Sequence, residues 1–473
     1  MRKEEFCEIF GEISEKYIIE AQKKLPKKRM KIYFRMAVAA VLVIAVGIGL
    51  MNMPMMITAN MVAEAASPRV TEQPNPDDYI DKAKYKQEAE AWRAQNRSRE
   101  GTAMRAIGNL TSFFTDGNKE FLLTENEENK IWSPVNAYIG LAMLTELTKG
   151  NTRQQILDLF GVADTQTLRK DVSAIWESVY QDNAYGTCTL ANSLWLENGL
   201  KYNQDTMDAL AYHHYASVYQ SDLGSDRTNK DIAAWINNNT DNFLNEQTKN
   251  IQLDADTIMA LYSTIYFQAE WMNEFSKDEN TTDVFHMKDR DIETVFMNQT
   301  KQQMNYYWGE NCAAVRVPLK NGSSMYFILP DEGKSINDVL ENETYIEMIT
   351  SKFWENYKNV RVNLSVPKFD VASTMDLSNG LKNMGVTDAF LMEKAEFTNL
   401  TYDMPMALKA AKQSVRVEID EKGVKAGAYV ELATSGGAAP NDIVDFVLDR
   451  PFLFAIEKNN IPLFVGCVNN PVN

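Results

Sequence analysis

The sequence predicts an α+β fold, and three observations carry that prediction. Apolar residues at helical spacing dominate between Ala106 and Asn245, strand-like alternation dominates from Ile258 onward, and the chain closes on two apolar runs. Those last runs, residues 452–456 and 462–466, are separated by Glu457-Lys-Asn-Asn460 and read as a terminal hairpin. Helices early and strands late imply one body of about 370 residues with at least one large sheet.

Each element has its own local reason. Residues 106–114 read as a first helix. Ser133 caps a second helix through Leu147, with Pro134 at its first position and Ile139, Met143 and Leu147 recurring on the core side. Residues 152–160 form a third that stops at Gly161, and helical signals recur over 168–180 and 227–245. Ile232, Trp235, Ile236 and Phe243 give the last of these a buried face. Residues 190–196 open the strand-rich part. Residues 258–267 are β-branched and aromatic, too apolar for an exposed strand and too short to span a bilayer. Residues 313–319 and 324–329 pair across Lys320-Asn-Gly322. Residues 360–366 and 414–419 are further strands, and 377–384 is a short helix ended by Gly385.

The N-terminal region has a different composition. Residues 36–63 contain no charged residue, and the densest part, Met36 to Leu50 with its continuation into Met56 and Ile57, is long enough to cross a hydrocarbon layer. Residues 1–35 carry +4, and the rest of the chain carries −21. The expected organisation is a basic cytoplasmic tail over 1–35, a transmembrane anchor over 36–57, an extracytoplasmic linker or stalk over 58–101, and a body over 102–473. The rival is a cleaved leader ending near Ala59 or Ala63–Ala66, giving a secreted protein. A charged leader of this length argues against it. The acidic external body offers nucleic acid no basic surface.

Cysteine and histidine point to no metal or redox chemistry. Cys188, Cys312 and Cys467 have no ligand spacing and read as isolated core residues, with Cys7 on the inner side. His213 and His214, being adjacent, do not share one helical face and read as a surface or edge feature. No cofactor is expected.

Residues 421–432 carry two contradictory instructions. Val424, Ala426, Ala428, Val430 and Leu432 form one small apolar face, while Lys425, Gly427, Tyr429 and Glu431 face the other way, the period of a half-buried strand. Residues 433–442 then read as an exposed loop. A segment patterned to enter a sheet but joined to a cleavable tip is a strand held in reserve.

The order of several blocks resembles the serpin family over residues 102–473. These are Asn129-Lys-Ile-Trp-Ser-Pro134, Leu190-Ala-Asn-Ser-Leu-Trp195, Ile265-Tyr-Phe-Gln-Ala-Glu-Trp271 with Phe275, and Val366-Pro-Lys-Phe369. Leu381-Lys-Asn-Met-Gly385 with Asp388-Ala-Phe390, Val417-Glu-Ile-Asp-Glu-Lys-Gly423 and Arg450-Pro-Phe-Leu-Phe454 complete the set. The resemblance implies a fold of about nine helices and three β-sheets with an exposed reactive-centre loop. It also implies, in inhibitory members, suicide inhibition of a serine protease through a covalent acyl complex. With the basic tail and uncleaved anchor, it suggests an inhibitory bacterial member, monomeric, single-pass in the cell membrane, with its inhibitory domain extracellular.

The resemblance assigns site residues by position. Glu421, Gly423, Val424, Ala426, Gly427 and Ala428 match the loop hinge, with Val424 departing from the usual serine or threonine. Ser133 and Pro134 match the shutter helix. Ser263 and Gln413 stand where the family commonly has asparagine and histidine, and Trp271 resembles the tryptophan beneath the loop's entry point. The family's usual interval forward from Glu421 reaches Gly437, making Gly437–Ala438 the reactive bond, with Ser435–Gly436 and Ala438–Ala439 as alternatives. Glycine or alanine there disfavours a trypsin-like target and points to elastase-like or subtilisin-like proteases. No catalytic residue is required. The alternatives are a non-inhibitory serpin serving as a surface binding or structural module, and a membrane-bound hydrolase, for which no GxSxG motif is present.

Overall fold

Most helices start where the sequence offers a side-chain oxygen to the first free N–H groups. Asp81 caps α1 (Lys82–Leu122), accepting from the amides of Ala83 and Lys84. Ser133 caps α2 (Pro134–Leu147) with proline at the first position, as the sequence predicts. After α3 (Gly150–Leu159), Asp164, Asn203 and Ser225 cap α4 (Thr165–Val179), α5 (Gln204–His213) and α6 (Asp226–Asn239). Short helices follow as α7 (Asn245–Thr248), α8 (Ile336–Leu340), α9 (Thr344–Thr350) and α10 (Ser378–Asn383). This computed structural model describes residues 56–67, 80–123, 128–342, 344–351, 354–424 and 442–472.

The strands in chain order are β1 (Asn60–Ala63), β2 (Lys130–Trp132), β3 (Gln181–Asn183), β4 (Gly186–Glu197), β5 (Ala216–Ser221) and β6 (Met259–Glu270). Next come β7 (Thr281–His286), β8 (Asp291–Trp308), β9 (Cys312–Pro318), β10 (Ser324–Pro330), β11 (Tyr357–Pro367) and β12 (Phe369–Asp376). Last are β13 (Lys412–Ile419), β14 (Gly423–Val424), β15 (Ile443–Val447), β16 (Phe452–Lys458) and β17 (Ile461–Val468). One sheet runs β1-β5-β4-β6-β14-β13-β12 with β3 on β4. The other runs β15-β11-β8-β9-β10-β16-β17-β2 with β7 on β8. The long β8 pairs with β7, β9 and β11, so among the described residues the strands fall into two hydrogen-bonded sheets where three were expected.

The core lies between these sheets and α2, which is buried almost all round, as a helix without a polar face must be. Both predicted hairpins are present, β9–β10 with Gly322 at positive φ and β16–β17 turning through Asn459 and Asn460 in the left-handed region. Cys188, Cys312 and Cys467 are buried and free.

Three expectations need correction. The stalk expected over 58–101 is folded structure where described: β1 pairs antiparallel with β5, and α1 begins at Lys82 and runs through the expected boundary at 102. Thr58 donates its N–H and Oγ1 to Asp231 Oδ2 at 3.1 and 2.7 Å, and Ile57 packs on the Trp195–Tyr219–Trp235 cluster. The compact unit therefore spans Ile57–Asn473, which takes Ile57 out of the expected anchor. Residues 1–55 lie outside the described residues; among those described, no helix is long and apolar enough to cross a membrane.

His214 is the third correction. It is fully buried, with Nε2 3.0 Å from Glu146 Oε1, while Arg169 grips both oxygens of Glu146 at 2.7 Å. Burial pushes the Glu146 carboxyl up, but hydrogen bonds from Arg169 and His214 outweigh it and hold it down at about 2. The pair-wise histidine pattern concealed this because only the tertiary fold brings α2, α4 and the end of α5 together.

Candidate functional site

The site is a slot in the first sheet. β14 is antiparallel to both β6 and β13, so those two strands run in the same direction with only a two-residue wedge between them. Gly423 pairs with Glu270, and Val424 pairs with Ala269 on one side and Ile419 on the other. Beyond Val424 no ladder joins β6 to β13 among the described residues. The opening is walled by Ile265 and Phe267 of β6 and Val415 and Val417 of β13, over Ile456 and Phe464 of the second sheet. Those alternate side chains are apolar, while Ser414, Arg416 and Glu418 of β13, which also line the opening, belong to the other alternate set; among the described residues the strand edges present unpaired ladder positions, the arrangement that accepts another strand.

The entrance is built by the turn from β13 to β14. Asp420 Oδ1 accepts the N–H groups of Lys422 and Gly423 at 2.8 and 3.1 Å, closing the turn as an Asx motif. A Cβ on Gly423 would lie 2.3 Å from the Ala269 carbonyl oxygen and 2.6 Å from Glu270 Cα, so only glycine lets the chain pass so close to β6. Trp271 is fully buried beneath this turn. Its indole Nε1 donates to the Asp420 carbonyl at 2.8 Å and its main-chain N–H to the Lys422 carbonyl at 2.9 Å. Glu421 is buried too, ion-paired to Lys368 and accepting from Asn280 Nδ2 at 2.6 Å. Burial pushes its carboxyl up, yet Lys368 and Asn280 prevail and hold it at about 2, so it is a carboxylate at neutral pH.

The other end of the slot is tied through α2. Gln413 Oε1 accepts from the Ser133 N–H at 2.8 Å and Gln413 Nε2 donates to the Ser133 carbonyl at 3.0 Å, using both halves of one amide. Ser133 Oγ donates to the Leu463 carbonyl at 2.6 Å and accepts from the Asn136 N–H. Asn136 Nδ2 then donates to the Ser263 carbonyl at 3.0 Å, and Ser263 Oγ donates back to Asn136 Oδ1. A continuous polar chain thus links β13 to β6 beneath the slot, with Pro134 buried at the start of the helix that carries it. Replacing Gln413 with alanine leaves the buried Ser133 N–H unpartnered, while the Ser133 carbonyl keeps the Ala137 N–H, and is expected to cost about 1–3 kcal/mol. Denaturant unfolding checks this, and a loss under about 0.5 kcal/mol contradicts it.

The structure thus gathers Ser133, Pro134, Ser263 and Gln413 at one end of the slot and Trp271, Glu421, Gly423 and Val424 at the other. Ala426, Gly427, Ala428, Ser435, Gly436, Gly437, Ala438 and Ala439 lie outside the described residues.

A family profile described as Serpin (serine protease inhibitor) matches residues 109–471. The chain belongs to the serpin family. This serpin is 26% identical over 401 residues to an alpha-1-antitrypsin-like protein of Tamias sibiricus, covering 81% of this chain and 94% of that one. Alpha-1-antiproteinase of Callosciurus caniceps is 27% identical over 374 residues, covering 77% and 88%. Among solved structures, the thermophilic serpin Tengpin in its native state superposes with a TM-score of 0.70 at 24% identity, covering 88% of this chain and all of that one. Serpins as a family are serine protease inhibitors rather than catalysts, and these curated relatives are mammalian, so they lend no support to a bacterial source.

Sequence reasoning missed three members of this serpin's site. Asn136 joins the two strands, and Lys368 and Asn280 neutralise and satisfy Glu421. Asn136 carried a readable signal, a polar amide three residues past a serine cap on an otherwise apolar helix. Asn280 carried none.

Proposed function

We propose that this serpin is a suicide inhibitor of serine proteases of the elastase-like or subtilisin-like class. The protease serine Oγ attacks the carbonyl carbon of Gly437, the bond to the Ala438 nitrogen breaks, and that nitrogen leaves as an amine carrying the proton relayed from the serine. Gly437 remains esterified to the protease. The freed strand then enters the slot and carries the acylated protease with it before water can cleave the ester.

One observation supports this reading above the rest: β14 already fixes the register of such an entry. Continued from Val424, that register sets Ala426 between Phe267 and Val417, Ala428 between Ile265 and Val415, and Val430 between Ser263 and Gln413. The apolar face of the loop meets the apolar walls of the slot. On the outward face the same register sets Lys425 opposite Glu418 and Glu431 opposite Lys412, pairing opposite charges across the strands. The two loop residues that depart from the family pattern, Lys425 and Tyr429, both fall on that solvent side.

Tethering belongs to the same proposal. The charge-free run from Met36, flanked by Lys23-Lys-Leu-Pro-Lys-Lys-Arg29, supports a single span with the inhibitory domain outside. Cells displaying the full chain, treated with elastase or subtilisin, should yield an SDS-stable adduct in the membrane fraction and a released peptide beginning at Ala438. Cleavage within 433–442 without an adduct would shift the reading to a binding or structural module. An adduct found only in the soluble fraction would remove the tether.

A further inference from the structure

Phe243 sits on the turn that follows α6, and that turn reaches across the outer mouth of the slot, where Phe243 and Leu244 line the opening. Its backbone is shaped by Asp241 and Asn242, both in the left-handed region at φ of 46° and 59°, which their short polar side chains tolerate. The Asn242 N–H donates to the Asn237 carbonyl at 2.9 Å and the Phe243 N–H to the Thr240 carbonyl at 2.8 Å. The turn is thereby tied to the end of the helix.

Both strands that wall the slot hold this turn. On β6, Tyr266 Oη donates to Asp241 Oδ2 at 3.4 Å, and the Tyr266 ring meets the Phe243 ring edge-on with centroids 6.3 Å apart. On β13, the Arg416 guanidinium lies 4.5 Å from the Phe243 ring centroid, and Nη1 donates to the Phe243 carbonyl at 3.3 Å. Asp370 fixes that guanidinium by accepting from Nε and Nη2 at 2.8 and 2.6 Å. One buried ring therefore joins the outward faces of two strands that share no ladder there among the described residues.

The register of β14 sets one loop residue beneath this ring. Counted on from Val424, residue 427 falls between Tyr266 and Arg416, the two side chains that hold Phe243. The outward residues of the loop are Lys425, Gly427, Tyr429 and Glu431, and only the one at that position lacks a side chain. Lys425 falls between Gln268 and Glu418 and Tyr429 between Thr264 and Ser414, one step clear of the ring on either side. We propose that Phe243 and Arg416 form a clasp over the slot beneath which the inserting strand must pass, and that Gly427 is the residue that lets it pass with the clasp closed. A side chain at 427 has to displace a ring packed from both sides, whereas a bare Cα does not. The clasp rests on the insertion reading above and adds the positioning residues that decide which strand enters.

Full-length chains in detergent, incubated with elastase or subtilisin, test this through the ratio of SDS-stable adduct to cleaved chain. Gly427→Leu should lower that ratio at least about tenfold while loop cleavage continues, because a barrier to insertion gives deacylation time to finish. Adding Phe243→Ala should bring the ratio back to within about threefold of the unmodified chain, a rescue that a merely structural phenylalanine does not give. Arg416→Met frees the ring without removing it from the core, and it should raise the Gly427→Leu ratio at least about threefold even where the alanine variant fails to fold. Tyr429→Leu, outward but clear of the ring, should stay within about twofold. An unchanged ratio for Gly427→Leu, or a loss that neither second substitution relieves, overturns the clasp and leaves the insertion reading standing. No adduct from the unmodified chain overturns both.

Discussion

Replacing Ala428 with arginine is expected to turn this serpin from a trap into a substrate, with cleavage retained and SDS-stable adduct reduced more than about tenfold. In the register set by β14, residue 428 enters between Ile265 and Val415, above Ile456 and Phe464. The side chains that flank it in that register, Ile265 and Val415 over Ile456 and Phe464, offer a guanidinium no counter-charge, and removing its charge from water without a partner costs several kcal/mol. The side chain also overfills a space shaped for a methyl group, adding about 1–3 kcal/mol. Inhibition is a race between insertion and deacylation, and each 1.4 kcal/mol added to the insertion barrier slows it about tenfold. The outward neighbour supplies the control: Tyr429→Arg points to solvent in the same register and should leave the adduct yield within about twofold. Quantitative gel analysis of adduct against cleaved chain distinguishes the two. Equal yields from both variants would sink the register.

How much of this was legible in the sequence depended on whether the information was local. The cap and proline of α2, the β9–β10 turn at Gly322, the terminal hairpin and the alternation of β13 were all readable, because propensity, turn chemistry and period act over a few residues. The long β8 was not. Its centre, Gln299-Thr-Lys-Gln-Gln303, is polar and shows no strand signal, and it becomes a strand because β11 pairs with it along most of its length. β1 was hidden for the opposite reason. Asn60–Ala63 ends a charge-free run whose first part reads as a membrane span and whose end reads as linker, and only its pairing with β5 shows that these residues belong to the sheet.

The candidate site divides along the same line. Gln413 stood out as a departure from the family's usual histidine, and its amide both donates and accepts, because β13 sets it against the cap of α2. Glu421 was recognisable only as a hinge position. Its burial, the ion pair with Lys368 and the bond from Asn280 arise from residues far apart in the chain, and no local pattern encodes them. Lys368 lies within one of the family-like blocks, which shows that a conspicuous segment need not disclose what its side chains touch.

Cleavage of the loop should raise the thermal midpoint of this serpin by at least about 10 °C. Among the described residues the facing edges of β6 and β13 have no ladder between them beyond Val424 and flank an apolar slot, so on this reading the free energy of the intact fold is higher than the same chain can reach. Entry of roughly ten residues forms about ten new ladder bonds worth 0.5–1.5 kcal/mol each and buries the Val424, Ala426, Ala428, Val430 and Leu432 face. What prevents this in the uncut chain is connection at both ends of the loop, to β14 and to β15, together with the Gln413–Ser133–Asn136–Ser263 bridge that holds the two strands. Cutting one covalent link releases the strand while the bridge still opposes it, so the gain comes from the ladder rather than from loosening. Calorimetry of the intact and protease-cut chains measures the shift. An unchanged midpoint, with residues 425–432 still open to a second protease, would mean that the slot does not take the strand and that the apolar alternation of the loop has another cause.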